Sequence, residues 1–282
     1  MSIIDEERAV QGAATKPAAS KTKGTRKKTD LKLWFWRLAV VPIALGIWQL
    51  AYQMEWGSRT LLVSPADVWA ATVTLHTTGA LWANLFATIQ AAVAALFLAS
   101  LVGVPIGIAL GMLPKTWSVL SPYINALNSM PRIALAPVFI VLFGIDLGAK
   151  VALGFSIAVF IFMMNARVGV VSTDAEHRRV CLTLGATKLQ LFRKLYLPVA
   201  VPAIFTAFRL GMVYALLGVV SSEIIASRVG MGQVIASYSA TLSMSYVYSA
   251  LVILAIFASI LTVLAGTLEN AFLRWQRAGE QG

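Results

Sequence analysis

The chain has 282 residues, 59% of them hydrophobic and only 12% charged, which is about half the charged share of an ordinary soluble domain. Uncharged runs over 77–114, 151–166 and 229–268 do not alternate in polarity, so they exclude a transmembrane β-barrel and predict helices that cross a bilayer. In such a chain a formal charge of +11 marks cytoplasmic loops rather than nucleic-acid binding, and the single cysteine, Cys181, excludes an internal disulfide or a cysteine metal cluster.

Residues 1–32 form a basic tail with Lys16, Lys21, Lys23, Arg26, Lys27, Lys28 and Lys32. Its polarity predicts disorder, and its length before the first apolar run argues against a cleaved signal peptide. A positive-inside, topogenic tail fits best, with contact to anionic membrane lipid as the alternative. The first span is predicted over 34–54 and the second over 84–113. In the second, Gly103, Gly107 and Gly111 recur every fourth residue, which lets helix backbones approach closely. The third is broken, 117–129 and then 133–143, around Met130-Pro131-Arg132. The fourth covers 149–170, the fifth 199–226 and the sixth 246–272, with a short helix expected after Gly230 and Gly232. Residues 276–282 form a C-terminal tail, so the transmembrane domain is 33–275 with an internal loop at 171–198. Pro42, Pro105, Pro137 and Pro202 fall within or near these helices, as in packed, kinked bundles.

Basic residues orient the spans. Placing the N-terminus inside puts 18 Lys and Arg on the cytoplasmic side: nine through Arg37, Lys115, six in 167–194, and Arg274 and Arg277. The outside then keeps Arg59, Lys150 and Arg228. The fold class is therefore all-α, a polytopic membrane protein with six transmembrane helices and both termini cytoplasmic.

Ionisable residues within the spans are few: Arg132, Arg209 and Glu223. Arg132 either stands beside an anion's translocation path or caps carbonyls freed at the helix break. Ser222 and Glu223 either line an outer gate, or Glu223 pairs with Arg228 or faces water. Arg209 snorkels or pairs within the bundle. Two lone histidines, His76 and His177, have no metal-ligand spacing, and no phosphate-binding loop is present. No catalytic residue, metal or cofactor is expected in this chain. The scarcity of carboxylates disfavours the main alternative, a self-sufficient secondary transporter.

The loop at 171–198 splits at Gly185. Before it, Ser172-Thr173-Asp174 offers helix caps with Glu176 in the first turn, and Val180, Cys181 and Leu184 form an apolar face. After it, Leu189, Phe192 and Tyr196 line one side of a second short helix, with Leu191 and Leu195 beside them, and Pro198 ends that helix or opens the next. Two amphipathic helices around a glycine suit either a membrane surface or a partner's groove.

This loop resembles that of permease subunits of bacterial ATP-binding-cassette importers. The family motif is EAA, three residues, G, nine residues, I, one residue, LP. Here it reads Arg179-Val180-Cys181, then Gly185 followed by Ala186, then Leu195, and Leu197-Pro198. Arg179 stands where the family carries glutamate, with Asp174 and Glu176 as upstream acids. The stretches SMPRIALAPVFIVLFGI, LGATKLQLFRKLYLPVAVPAIF and FRLGMVYALLGVVSSEIIASRVGMG are similar to the nitrate/sulfonate/taurine branch, over roughly 60–275. The resemblance implies a permease subunit in a bacterial inner membrane that moves a small, anionic solute. It implies a second permease copy, two cytoplasmic ATPase subunits that bind ATP and Mg, and a periplasmic or lipid-anchored solute-binding protein. It also implies that the helix before Gly185 seats in an ATPase cleft. The remaining rival is an interaction role, in which the loop recruits a soluble protein without transport.

Overall fold

The computed structural model describes residues 31–58 and 60–272, which are helical with no strand. The tails and Arg59, Arg274 and Arg277 lie outside the described residues. Two units are distinguished, one ending at Trp48 and one beginning at Gln49. The boundary falls within the first helix, α1 (Leu31–Gln53), which contains Pro42 and exposes Val40, Val41, Ile43 and Ile47.

In the second unit, α2 (Pro65–Thr77) is a helix that the apolar pattern did not predict. Its start is nonetheless written in Ser64-Pro65-Ala66-Asp67. The Asp67 N–H donates to Ser64 Oγ at 3.1 Å, and the Ser64 N–H donates to Asp67 Oδ2 at 3.2 Å. This reciprocal capping box precedes proline at the first helical position, where its missing N–H costs nothing. Thr78 and Gly79 then turn the chain into α3 (Ala80–Met112).

Small residues make the centre. Along α3, Ala91, Ala95, Ala99, Gly103 and Gly107 are buried against α6 (Leu147–Val171) and α9 (Leu197–Ile225). A Cβ on Gly103 would stand 2.6 Å from the Val159 carbonyl, one on Gly107 would meet the Met163 carbonyl, and one on Gly111 would stand 2.6 Å from Val170 Cβ. A Cβ on Gly218 of α9 would likewise stand 2.8 Å from the Gly154 Cα of α6. Lipid is as apolar as leucine, so such helices are held by close backbone packing rather than by expulsion of water. Phe162 fills the middle, edge-on to Phe208 at 4.9 Å between centroids.

Two further buried clusters sit toward the ends of α3. One joins Leu75, Leu81 and Leu85 to Met231 and Val234 of α10 (Met231–Ala240) and to Ala250 and Leu254 of α11 (Met244–Phe272). The other joins Ile108 to Ala166, Val170, Leu191, Tyr196 and Ala200.

The broken helix is α4 (Pro114–Ser129), a 3₁₀ turn (Arg132–Leu135) and α5 (Ala136–Phe143), bent by 79°. Met130 is extended at φ −66°, ψ 138°, as the ring of a following proline requires. Four helices are long and apolar enough to cross a membrane, and a fifth span results if the bent pair counts as one. The apolar part of α1 is shorter, Ala39–Gln53.

The expectation of a separate connector helix ending near Pro198 is corrected. After α7 (Ala175–Thr183), a turn of α-helix, α8 (Lys188–Leu191), passes through a π-turn (Phe192–Tyr196) straight into α9. The run Lys188–Ile225 is one 38-residue helix. The Leu197 N–H donates to the Phe192 carbonyl five residues back, so the wider register absorbs the donor missing at Pro198. Burial of Leu191 and Tyr196 holds this course.

Candidate functional site

The loop before Gly185 is built by local chemistry. Asp174 caps α7, its Oδ1 accepting from the Glu176 N–H at 2.9 Å. His177 Nδ1 lies 3.4 Å from Asp174 Oδ2. At the other end Gly185 has φ +76°. Its N–H donates to the Leu182 carbonyl and the Ala186 N–H to the Cys181 carbonyl, both at 3.0 Å. That double closure of a helix end needs a left-handed residue, which glycine adopts without a Cβ penalty. Thr187 then caps α8, with Gln190 reaching back to the Thr187 N–H at 2.8 Å.

Cys181 and Ala186 pack on the cluster around Tyr196 and so tie α7 to the bundle. Val180, Leu182 and Leu184 point outward, Leu184 with 81% of its surface exposed. Glu176 and Arg179 are also exposed, and Arg179 makes no salt bridge among the described residues, so neither Asp174 nor Glu176 compensates it within the chain. Leu197 and Pro198 form the first turn of α9. Thus a short helix and its closing turn form a hairpin that leaves three apolar side chains bare, Val180 and Leu184 on one side and Leu182 on another.

A second locus is a cavity of about 650 Å³ lined by Arg132 and Asn128 at the helix break, Ile157, Phe160 and Asn165 of α6, and Tyr214 of α9, among others. Arg132 reaches the cavity wall with its donors engaged. One terminal nitrogen donates to the Ser156 and Ile157 carbonyls at 2.6 and 3.2 Å; the other donates to the Leu127 carbonyl and Asn128 Oδ1 at 3.3 and 2.8 Å. Its guanidinium also lies 4.0 Å from the Phe160 ring centroid. Capping of the α4 carboxyl end is therefore the geometry seen. Arg132→Ala removes these charge-assisted bonds, each worth about 1.5–3 kcal/mol net, and frees the Leu127 carbonyl. The expected result is a lower thermal midpoint that Arg132→Lys does not restore, since one ammonium cannot span both sets of carbonyls.

The third locus lies where the last turns of α9 meet α10. Glu223 is 1% exposed and Ser222 wholly buried. Neither pairing with Arg228 nor exposure to water, two of the alternatives open for Glu223, is observed. Instead Lys150 Nζ sits 3.1 Å from Glu223 Oε1. Thr88 Oγ1 donates to the same carboxylate at 2.9 Å, and the Gly232 N–H donates to its Oε2 at 2.9 Å. Lys150 also donates to the Val229 carbonyl. The Met231 N–H donates to Thr88 Oγ1 at 2.9 Å, and the Gly230 N–H to Asn84 Oδ1 at 2.7 Å. The free N–H groups at the start of α10 thus find acceptors on α3 and α9, and the carboxylate faces the positive end of that helix. Gly230 and Gly232 allow this approach, because a Cβ on either would run into Glu223.

Sequence reasoning missed Lys150 by counting it as a loop charge. A signal existed: Lys150, Leu153, Gly154 and Ala158 share one helical face, and all four are buried. Arg209 pairs with Glu269 at 3.7 Å. Among the described residues no group of His, Cys, Asp and Glu is placed to hold a metal.

Close-packed apolar helices, a broken helix beside a cavity and a protruding helical hairpin define a multi-pass membrane transport subunit. Residues 103–277 match the family described as binding-protein-dependent transport system inner membrane component, and the chain belongs to that family. Family members are transport permease subunits and not themselves enzymes. The taurine transport system permease protein TauC of Escherichia coli is 28% identical over 86% of this chain and 93% of its own. The riboflavin transport system permease protein RibX of Chloroflexus aurantiacus is 29% identical over 90% and 97%. The fold is also that of a chain in an inward-facing structure of the MetNI methionine ABC transporter, with a TM-score of 0.60 and 20% identity over 66% of this chain and 93% of that one.

Proposed function

We propose that this chain is the permease subunit of an ATP-driven importer for a small solute that carries an anionic sulfonate group, such as taurine or an alkanesulfonate. In this reading six spans, with α1 as the first and the α4–α5 pair as the third, cross a bacterial inner membrane with both termini in the cytoplasm. Two copies enclose the path, and a periplasmic or lipid-anchored binding protein delivers the solute. Two cytoplasmic ATPases, which hold ATP and Mg, grip the hairpin around Gly185.

The observation that carries the coupling role is the hairpin: α7 and its closing turn leave Val180 and Leu184 bare on one side and Leu182 bare on another, while Cys181 and Ala186 root the hairpin in the bundle. An apolar helical face with no partner of its own suits a groove on another protein. Close packing then passes a push on α7 to α3, α6 and α9 as a rigid displacement. A solute carrying an anionic sulfonate group is favoured by the taurine relative, and the 650 Å³ cavity is the candidate place for it.

The test is uptake into proteoliposomes holding this chain, its ATPase and its binding protein. ATP-driven uptake of labelled taurine or an alkanesulfonate, unaffected by ionophores, is the expected result. Uptake driven by an ion gradient without ATPase would instead establish a secondary carrier. ATP-driven uptake of riboflavin with none of a sulfonate would leave the importer standing and overturn the anion.

A further inference from the structure

The π-turn at the start of α9 leaves a slot beside α3. Its volume is about 480 Å³, and its walls are Val104, Pro105, Ile108, Ala109 and Met112 of α3 with Phe192 of the turn and Leu197 of α9. Every wall residue is apolar, so water has no partner there. From Pro105 to Met112 the slot follows α3 for about 10 Å, at 1.5 Å per residue, and ends where that helix ends. Leu101, Val102, Ile106 and Leu113 beside it are exposed apolar residues on a helix long enough to cross a membrane. The same π-turn carries Arg193 and Lys194, both exposed and neither in an ion pair among the described residues.

A slot that takes hydrocarbon, with two exposed cations one and two residues after its Phe192 wall, has the chemistry of an amphiphile's mirror image. We propose that it binds an anionic phospholipid, with an acyl chain between α3 and Phe192 and the phosphate held by Arg193 and Lys194. Basic side chains at a membrane surface favour anionic over zwitterionic lipid by about five-fold each, so the pair supplies about 25-fold. The lipid sits against the helix that joins the hairpin to α9. On the proposed function, a filled slot stiffens that joint, and ATP-driven uptake rises with anionic lipid. Binding itself does not depend on that reading.

Native mass spectrometry of the purified full chain tests the site, with phosphatidylglycerol and phosphatidylcholine of matched acyl chains in equal amounts. Wild type retains phosphatidylglycerol in preference by about 25-fold. The double variant Arg193→Gln/Lys194→Gln retains the two lipids nearly equally. Ala109→Trp, at an exposed position, fills the slot and loses both lipids while circular dichroism stays unchanged. Equal retention by wild type overturns the proposal. So does a preference that survives Arg193→Gln/Lys194→Gln, which assigns it to the basic N-terminal tail. A lipid-free wild-type dimer that Ala109→Trp dissociates also overturns it, because a second copy then fills the slot. No ATPase is present, so a chain that passes here yet fails ATP-driven uptake sinks the importer reading alone.

Discussion

Lys150→Met destabilises the folded chain by about 3–5 kcal/mol, the usual result of removing one partner of a buried ion pair. Glu223 is left inside the bundle with Thr88 and the Gly232 N–H as its remaining donors. The Val229 carbonyl loses its lysine as well. Thr88 and Gly232 keep their own acceptor only if an oxygen stays at position 223, so the second substitution is Glu223→Gln. The double variant Lys150→Met/Glu223→Gln removes both charges, retains an acceptor, and recovers most of the loss. Thermal unfolding of the four proteins in one detergent measures this cycle. If the two single losses simply add in the double variant, the pair is not the joint that holds α10 to α3 and α6. The same joint explains why α10 follows α9 without a side-chain cap of its own: its first N–H groups are answered from other helices.

Gly185→Pro abolishes coupling while the spans stay folded. The native φ of +76° lies far from the roughly −65° that the proline ring imposes, and the N–H given to the Leu182 carbonyl disappears. A penalty of about 3 kcal/mol or more reduces the native turn about 100-fold. Gly185→Ala is milder, at about 1–2 kcal/mol for a left-handed non-glycine residue. In proteoliposomes with the ATPase and binding protein, uptake falls about 100-fold for Gly185→Pro and about 10-fold for Gly185→Ala. The thermal midpoint of the membrane helices barely moves in either, because nothing stands within 4 Å of where a Cβ on Gly185 would be. Full uptake by Gly185→Pro would rule out the hairpin as the coupling element.

Much of the architecture was legible from short-range signals. The break at Met130-Pro131-Arg132 follows from what proline does to the residue before it, and the structure bends there by 79°. The glycine row on α3 foretold close packing, although only the fold shows that its partner is α6. Gly185 marked the split in the loop because a helix end of this kind needs positive φ. By contrast α2 is not legible from the apolar pattern, since its composition is too mixed for a span and only its capping box marks its start. The run from Lys188 into α9 reads as two helices because Pro198 is a strong local stop, and the π-turn that defeats it depends on packing around Leu191 and Tyr196.

The polar residues divide in the same way. Arg132 sits within five residues of Leu127 and Asn128, so its capping role was among the readings open from sequence. Its bonds to Ser156 and Ile157 cross to another helix. Lys150 and Glu223 are 73 residues apart, and no local pattern names either as the other's partner. Sequence alone determined where the long apolar helices lie, that the third breaks at Met130-Pro131-Arg132, and that the loop turns at Gly185. Each of those depends on backbone dihedrals, caps and periodicity within a few residues. Tertiary structure alone decided which charges are buried together and which faces stay bare. Those outcomes are set by how closely small residues let α3, α6 and α9 approach, and that distance exists only in the packed bundle.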